Sequence, residues 1–567
     1  MDLKKYISEG HKCLEKLKTD CITGASIAEK LLLELIDQNK NTEFGRKYGF
    51  SEIKSIEDYK KMVPFTEYSH YYKFINRMQK GEKDLITTEK IVHYAKTSGS
   101  IGVPKKIPVS EAALKCLDDY CIKMYAALMD DYLLEHENRH LYNGQILTTV
   151  VAKITEARSG ETVGALSSGY YNLIREDMEG IWAVPDFAIY VNEESDHYFV
   201  KALFGLKNRD VICLDAPFAS AVNDFLCYIK RNREMLCDAV ERGQVPEGIS
   251  LGDTVRPKIV ECLKPDPVRA EELRAAFADG FDEPIIRKIW PHFEYVNCIG
   301  AGGFSAYVEK IREYIGDIPI SYYSYASSEA LIATATKINV PEYTLLPRSG
   351  FFEFIPVEDS ERSPGELQER TLNMDQLEAG RDYEIIVTNL SGLYRYRIGD
   401  VVTVHGYDGQ CPLISFKYRT SQTISMAGEK TTMLCITDAV EYLKKKMGIG
   451  IPEYSVFPDY RADTGRYYLF MESDGDVPEE EYEAVARLLD EKLSKDNPSY
   501  GDKLKSGILG PLEIGFVQPD TYMLYRDLMI YKGTSENQVK PVRVIDNAFK
   551  EKFFFGLLKQ EEINNEL

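Results

Sequence analysis

Apolar residues over the first 60 positions recur at three- and four-residue spacing, most clearly in Ile27–Ile36 (IAEKLLLELI), which predicts a helical preface packed on the main domain. The stretch Thr42–Phe50 (TEFGRKYGF) reads as punctuation between elements. From Gln145 the pattern changes to short β-rich runs, Ile146–Ala152 (ILTTVVA) and Asp210–Ala216 (DVICLDA), separated by helices such as Ser220–Leu236. Strands alternating with helices predict an α/β core. Beyond Ile332 the runs Tyr343–Pro347, Gly350–Val357, Tyr383–Leu390 and Val401–Tyr407 succeed one another with hairpin-like breaks, as an antiparallel sheet or small barrel would. After Cys411–Thr423 the texture becomes α+β: helix Asp438–Met447, strand Arg466–Met471 and helix Pro478–Leu493. In that last helix Tyr482, Val485, Leu489 and Leu493 share a face, with Asp476 placed to cap it and Pro478 near its first turn. A boundary near Arg419 therefore divides a large N-terminal domain, 1–418, from a small C-terminal domain, 419–567.

Composition narrows the class. The chain has 567 residues, 44% of them hydrophobic, enough for two or more cores. A net charge of −21 argues against a nucleic-acid or anionic-membrane surface, because a phosphate-binding face needs a basic excess. Eleven cysteines without a C-x-x-C pair fit reduced thiols and a cytoplasmic protein. The N-terminus lacks an apolar h-region, and no window reaches the roughly 20 apolar residues of a membrane span. A soluble monomer acting on small molecules is the expectation.

Three ordered stretches carry candidate chemistry. In Tyr94–Lys106 (YAKTSGSIGVPKK), Gly99 and Gly102 let the backbone approach phosphate oxygens, Thr97, Ser98 and Ser100 offer hydroxyls, and Lys105 and Lys106 offset charge. The order of residues is not that of a Walker A loop; alone, it would read equally as a Gly/Ser-rich surface turn. In Ser324–Glu329 (SYASSE) the polar residues come after a strand-like run, Ile318–Ala326, and so emerge at its carboxyl end, where α/β proteins bind ligands. Glu329 could hold a Mg²⁺ ion bridging phosphates, Tyr325 offers a flat face to adenine or an acyl group, and Ser328 is a further nucleotide contact. A Ser-rich loop with a helix-capping Glu is the plain alternative. In Leu393–Val402 (LYRYRIGDVV) Gly399-Asp400 sits at what reads as a strand turn, where an aspartate can accept both ribose hydroxyls; the alternative is a hairpin Gly-Asp.

These motifs resemble those of the adenylate-forming superfamily. Ile289–Val308 (IWPHFEYVNCIGAGGFSAYV), Tyr325–Ala330, Tyr343–Pro356, Ser391–Val402 and Asn537–Val544 (NQVKPVRV) together resemble, in sequence and order, the Gretchen Hagen (auxin-responsive) family of acyl acid amido synthetases, from about Lys60 to Asn547. The resemblance implies a large α/β domain with a β-rich subdomain and a small mobile α+β cap. It implies ATP and Mg²⁺, a carboxylic acid activated as its acyl-adenylate, and an amino acid amine as acceptor. It assigns the triphosphate to Thr97–Lys105, magnesium to Glu329, ribose to Asp400, a nucleotide contact to Arg419, and the α-phosphate to Lys540. On the substrate side it points to Gly302, Gly303, Phe304 and Tyr323, with further pocket residues on the helix Ser110–Met129 and around Phe204–Ser220. The phosphate loop is nearer the general superfamily form than the plant one, and the segment between Glu329 and Tyr343 is shorter; both argue against a plant-hormone-like acid. A thiol ligase making acyl-CoA through the same adenylate is the first alternative, and a non-catalytic nucleotide-binding scaffold the second.

Two further patterns point elsewhere. His136–His140 (HENRH) has the H-E-x-x-H spacing of zinc proteases, but the residues after it promise no helix long enough for two ligands, so solvated histidines are expected. Gly300–Ser305 (GAGGFS) lies between a strand and a helix as a dinucleotide turn does, yet no acidic residue ends the next strand before SYASSE; close approach to an acyl-adenylate fits better. Cys298 beside it is expected to be a small core residue.

Overall fold

A computed structural model of the whole chain describes residues 3–96, 105–137, 141–175, 180–190, 196–300, 305–359, 364–420, 423–424, 426, 429, 431–461, 465–532, 539 and 541–559. They form two compact units, one running to Lys417 and the other starting at Tyr418.

The larger unit opens with helices Leu3–Ile22 and Gly24–Asn39. Thr42–Phe50, expected to be punctuation, contains a short helix, Glu43–Lys47: the Thr42 side chain accepts the Gly45 amide and Phe44 anchors the turn in the core, a local cap outweighing two glycines. A parallel sheet forms the α/β layer, with strands β1 (Gln145–Thr148), β2 (Val211–Phe218), β3 (Tyr295–Ile299) and β4 (Ile320–Ser321) side by side in that order. β1 is shorter than Ile146–Ala152, because the chain leaves the sheet after Thr148 and the carbonyls of Thr149 and Val150 are taken by the buried Lys201 ammonium at 2.5 and 2.7 Å. One face is covered by the helix Ala219–Arg242, which buries Val222, Phe225, Leu226, Ile229, Leu236 and Val240 and ends at Gly243 with φ 62°. The other face meets the helical run Glu111–Glu137, in which residues 118–123 form a π-helical turn.

Seven strands make the β-rich layer: β5 (Ser324–Ala326), β6 (Leu331–Ala335), β7 (Tyr343–Leu345), β8 (Gly350–Pro356), β9 (Asp382–Asn389), β10 (Tyr396–Asp408) and β11 (Cys411–Arg419), ordered β8-β9-β10-β11-β7-β6-β5. The run expected to end as one strand at SYASSE is divided: Ile320–Ser321 closes the parallel sheet and Ser324–Ala326 opens the antiparallel one. Tyr322 and Tyr323 carry the chain from one sheet to the other.

The smaller unit stacks helices Met433–Met447 and Tyr482–Asp496 on a sheet of Glu453–Asp459, Arg466–Glu472 and Glu513–Phe516. Val485, Leu489 and Leu493 are buried on the predicted face. Asp476 does not cap that helix; its carboxylate accepts from Lys559 instead, and a turn at Glu479–Glu481 intervenes. The Met433–Met447 helix starts five residues before Asp438 because Thr432 caps it through the Cys435 amide.

Candidate active site

The segment leading into Asp400 is fixed before Asp400 is reached. The Tyr394 carbonyl accepts from Thr66 Oγ1 (2.6 Å) and Tyr71 Oη (3.1 Å). Arg395 adopts φ 48°, a left-handed conformation that costs a non-glycine residue about 1–2 kcal/mol. What offsets this is the fully buried guanidinium: it pairs twice with Glu353 (3.0 and 2.9 Å) and donates to the carbonyls of Lys60 and Val63 (2.7 and 2.8 Å). Arg397 is likewise engaged twice by Glu384, at 2.9 and 2.6 Å. Both arginines of the motif are therefore structural.

Gly399-Asp400 lies within β10 rather than at a strand turn. Glu384 pairs with Val401 and Ile386 with Arg397, so β10 advances four residues while β9 advances two. The excess forms a bulge, and Gly399 takes φ 78° there, a conformation natural to glycine. Asp400 comes directly after it, only 2% exposed, and its Oδ2 accepts the Tyr325 hydroxyl at 2.9 Å. Tyr325 sits on β5, with β11, β7 and β6 between it and β10 in the sheet order, so this bond requires the sheet to curl on itself as an open barrel. The Tyr325 ring lies inside that curl, 6.3 Å from Tyr343 and 6.0 Å from Phe416, and is buried rather than presented as an open stacking face.

Glu329 stands on the turn after β5. Its amide and that of Ala330 donate to Ser327 Oγ (3.2 and 3.3 Å), and its carbonyl accepts from Asn389 Nδ2 at 2.6 Å. Glu329 and Ser328 remain partly exposed. Burial pushes the Tyr396 hydroxyl well above its ordinary range, and the nearby Glu329 carboxylate pushes it further. The strand that precedes the phosphate loop, Ile91–Lys96, pairs with Lys106–Ser110, and Lys105 stands exposed at the loop's far end with its ammonium 5.8 Å over Tyr68. Lys106 is held by Gln79 at 3.0 Å. Lys105, Glu67, Tyr68, Ser69, Tyr72, Tyr396 and Arg397 line an open cavity of about 630 Å³. Lys105 and Tyr396 line the cavity and the Glu329 carboxylate acts electrostatically on Tyr396; a lysine and a carboxylate so placed would suit a magnesium-bound polyphosphate.

The structure thus joins Tyr325 to Asp400, with Ser328 and Glu329 on the turn that follows Tyr325, and places Lys105 at a cavity lined also by Tyr396. Arg419 ends β11 and is partly buried. Tyr323 packs its ring 5.9 Å from Tyr125, and Cys298 is fully buried, as expected of a core residue. Thr97, Ser98, Gly99, Ser100, Gly102, Gly302, Gly303, Phe304 and Lys540 lie outside the described residues. Of the zinc-like pattern, His136 sits in the last turn of the helix Met124–Glu137, its Nδ1 2.9 Å from the Tyr132 carbonyl, and 138–140 lie outside the described residues. The sequence reading missed Asn389, whose signal was a lone amide ending the apolar strand β9, and the role of Tyr325 as a donor to Asp400.

Comparison with known proteins gives matches along most of the chain. The GH3 family N-terminal domain matches residues 13–320, the central domain 343–419 and the C-terminal domain 435–548. The indole-3-acetic acid-amido synthetase GH3.8 of Oryza sativa subsp. indica is 26% identical over 539 residues, covering 92% of this chain and 88% of the relative. The jasmonoyl--L-amino acid synthetase GH3.5 of Oryza sativa subsp. japonica is 24% identical over 548 residues, covering 92% of each. Among solved structures, the GH3.15 acyl acid amido synthetase superposes with a TM-score of 0.83 at 23% identity, over 97% of this chain and 96% of that one, and shares its fold.

Proposed function

The chain belongs to the GH3 family, and on that premise we propose that it is an ATP-dependent acyl acid amido synthetase. A carboxylic acid attacks the α-phosphorus of ATP, forming an acyl-adenylate and releasing pyrophosphate; an amino acid amine then attacks the acyl carbon, and AMP leaves. The adenylate is needed because a carboxylate is a poor electrophile at neutral pH. Plant relatives named for amide synthesis from auxin and jasmonate support this acceptor chemistry.

The observation that carries the reading is the hydrogen bond from Tyr325 to Asp400, with Glu329 on the turn after β5 and Lys105 lining a cavity together with Tyr396. Asp400, oriented through one oxygen by Tyr325, holds the ribose. Glu329, its backbone fixed by Asn389 and Ser327, would hold Mg²⁺, which would offset phosphate charge, and Lys105 with Thr97–Gly102 would cradle the triphosphate. Arg419 adds a nucleotide contact, and Lys540 neutralises charge developing at the α-phosphate. Tyr323, Gly302, Gly303 and Phe304 are the residues assigned to the acyl group. The eleven cysteines, all among the described residues, carry free thiols, which supports a reducing, cytoplasmic setting, and no helix among the described residues is long and apolar enough to cross a membrane. A panel of carboxylic acids read by acid-dependent pyrophosphate release, then mass spectrometry with pooled amino acids and with CoA, tests the reading. Amide products support it; thioester products, or no acid-dependent release, would refute it.

A further inference from the structure

Four parallel strands place one polar residue each in the same row near their carboxyl ends. Thr148 on β1 is in register with Asp215 on β2, Asp215 with Asn297 on β3, and Asn297 with Ser321 on β4. The flanking positions Leu147, Leu214, Val296 and Ile320 are fully buried on the opposite face. An aspartate in the middle of such a sheet needs donors, and it has them: Asn297 Nδ2 donates to Oδ1 at 2.6 Å, while Thr148 Oγ1 and Tyr171 Oη donate to Oδ2 at 2.9 and 2.7 Å. Asn297 Oδ1, by contrast, has no partner among the described residues although the side chain is only 7% exposed.

The row fronts an opening. Asp215, Tyr171, Tyr323 and Phe218 each keep part of their surface accessible, whereas Leu214 and Ala216, the strand neighbours of Asp215, do not. The walls are aromatic: Tyr171 stacks on Trp182 at 5.3 Å, and Tyr125 lies 5.9 Å from Tyr323 and 6.2 Å from Tyr295. The helix opposite breaks into its π-turn at this level, where Cys121 Sγ donates to Ser324 Oγ at 3.2 Å, and such turns recur where helices serve sites. From Ser321 the chain passes through Tyr323 to Tyr325 and Glu329, so the recess and the activation site share one continuous segment. Ligands of parallel sheets bind at the carboxyl ends of the strands.

Two acceptors of the row are left wanting a donor: the Asn297 amide oxygen and the remaining lone pair of Asp215. Resting on the proposed function, we propose that Asp215 and Asn297 determine acyl specificity and select a carboxylic acid that bears a hydrogen-bond donor, a hydroxyl or an amine, at the end remote from its carboxylate. An acid without that donor leaves the buried amide oxygen unpaired and is discriminated against.

The test compares acids of one flat skeleton in three forms, with a remote hydroxyl, with its methyl ether, and with hydrogen. Acid-dependent pyrophosphate release by the wild-type protein should favour the hydroxyl form by about 100-fold or more in kcat/KM over both others. Asn297→Leu should narrow that ratio by at least about 10-fold, whereas a merely structural role would lower all three acids together and leave the ratio unchanged. Equal kcat/KM for the three acids in the wild type overturns the inference, and this comparison needs no variant to fold. If no acid elicits pyrophosphate, it is the adenylation reading that fails, and calorimetric titration of the same acids decides the specificity alone: a Kd lower by about 100-fold for the hydroxyl form supports it, and equal affinity or no binding overturns it.

Discussion

At the scale of single residues, Asp400 and Glu329 could be proposed from sequence because each stands in a motif whose order along the chain is informative. Their partners could not, because Tyr325 reaches Asp400 only where a sheet curls, and Asn389 reaches Glu329 from 60 positions away. Loss of a charge-assisted contact costs about 1.5–3 kcal/mol, so Asp400→Ala and Glu329→Ala should each lower acid-dependent pyrophosphate release at least about 10-fold with the far-ultraviolet dichroism intact. Wild-type turnover in either variant would remove that residue from the site. A different residue-scale consequence concerns acid. His93 is buried beside the phosphate-loop strand, with Nδ1 2.8 Å from Thr162 Oγ1 and Nε2 3.1 Å from the Ala165 carbonyl, and burial holds its pKa below the usual histidine value. His197 is pushed down to about 3, mainly by burial and then by Lys201 and Lys153. Since the unfolded chain binds these protons near pH 6.5 and the native state does not, stability should fall as pH drops below about 6.5, by up to about 1.4 kcal/mol per pH unit for each histidine. Urea midpoints at pH 7 and 5.5 measure this, and the fall should be shallower in His93→Gln. Equal midpoints at the two pH values would show that neither ring is held neutral.

At the scale of elements, hydrophobic periodicity located the helices and most strands because it reports burial, and burial is a local property of the pattern. It could not show that Ile318–Ala326 is shared between two sheets, since a strand looks the same whichever neighbours it acquires. Nor could it distinguish a turn from a bulge at Gly399: both can use a glycine at positive φ, and only pairing with β9 tells them apart. The bulge aims Asp400, which under the proposed function makes the glycine a positioning residue. Gly399→Ala should cost about 1–2 kcal/mol of stability by forcing a side chain into left-handed backbone, and should depress pyrophosphate release at temperatures where the variant is fully folded. A variant with reduced midpoint but normal release would mean that the bulge merely accommodates the strand. One element-scale bond is purely architectural. Arg395 and Glu353 join β10's entrance to β8 and to the end of the preface, so Arg395→Met should destabilise the larger unit by about 3–5 kcal/mol, read as the loss of midpoint in urea.

At the scale of the whole molecule, the chain divides near the end of β11 into units with separate cores, and the three family matches tile both of them. In the sequence the texture changes after Cys411–Thr423, and the residues assigned to phosphate chemistry fall on opposite sides of that stretch: Lys105, Glu329 and Asp400 before, Lys540 after. Under the proposed function the two half-reactions make unequal demands on them. Adenylation drives pyrophosphate away from the α-phosphate and needs positive charge there as negative charge accumulates, whereas amide formation expels AMP from an acyl carbon after the pyrophosphate has gone. Lys540→Ala should therefore depress acid-dependent pyrophosphate release by about 100-fold or more, a loss of the size seen when one preorganised donor is removed, while leaving amide formation from a supplied acyl-adenylate close to the wild-type rate. An exposed lysine paired with a surface carboxylate would contribute little to either step. Measuring both half-reactions in the same variant separates the cases: equal loss in the two, or loss in neither, would show that Lys540 does not serve the α-phosphate.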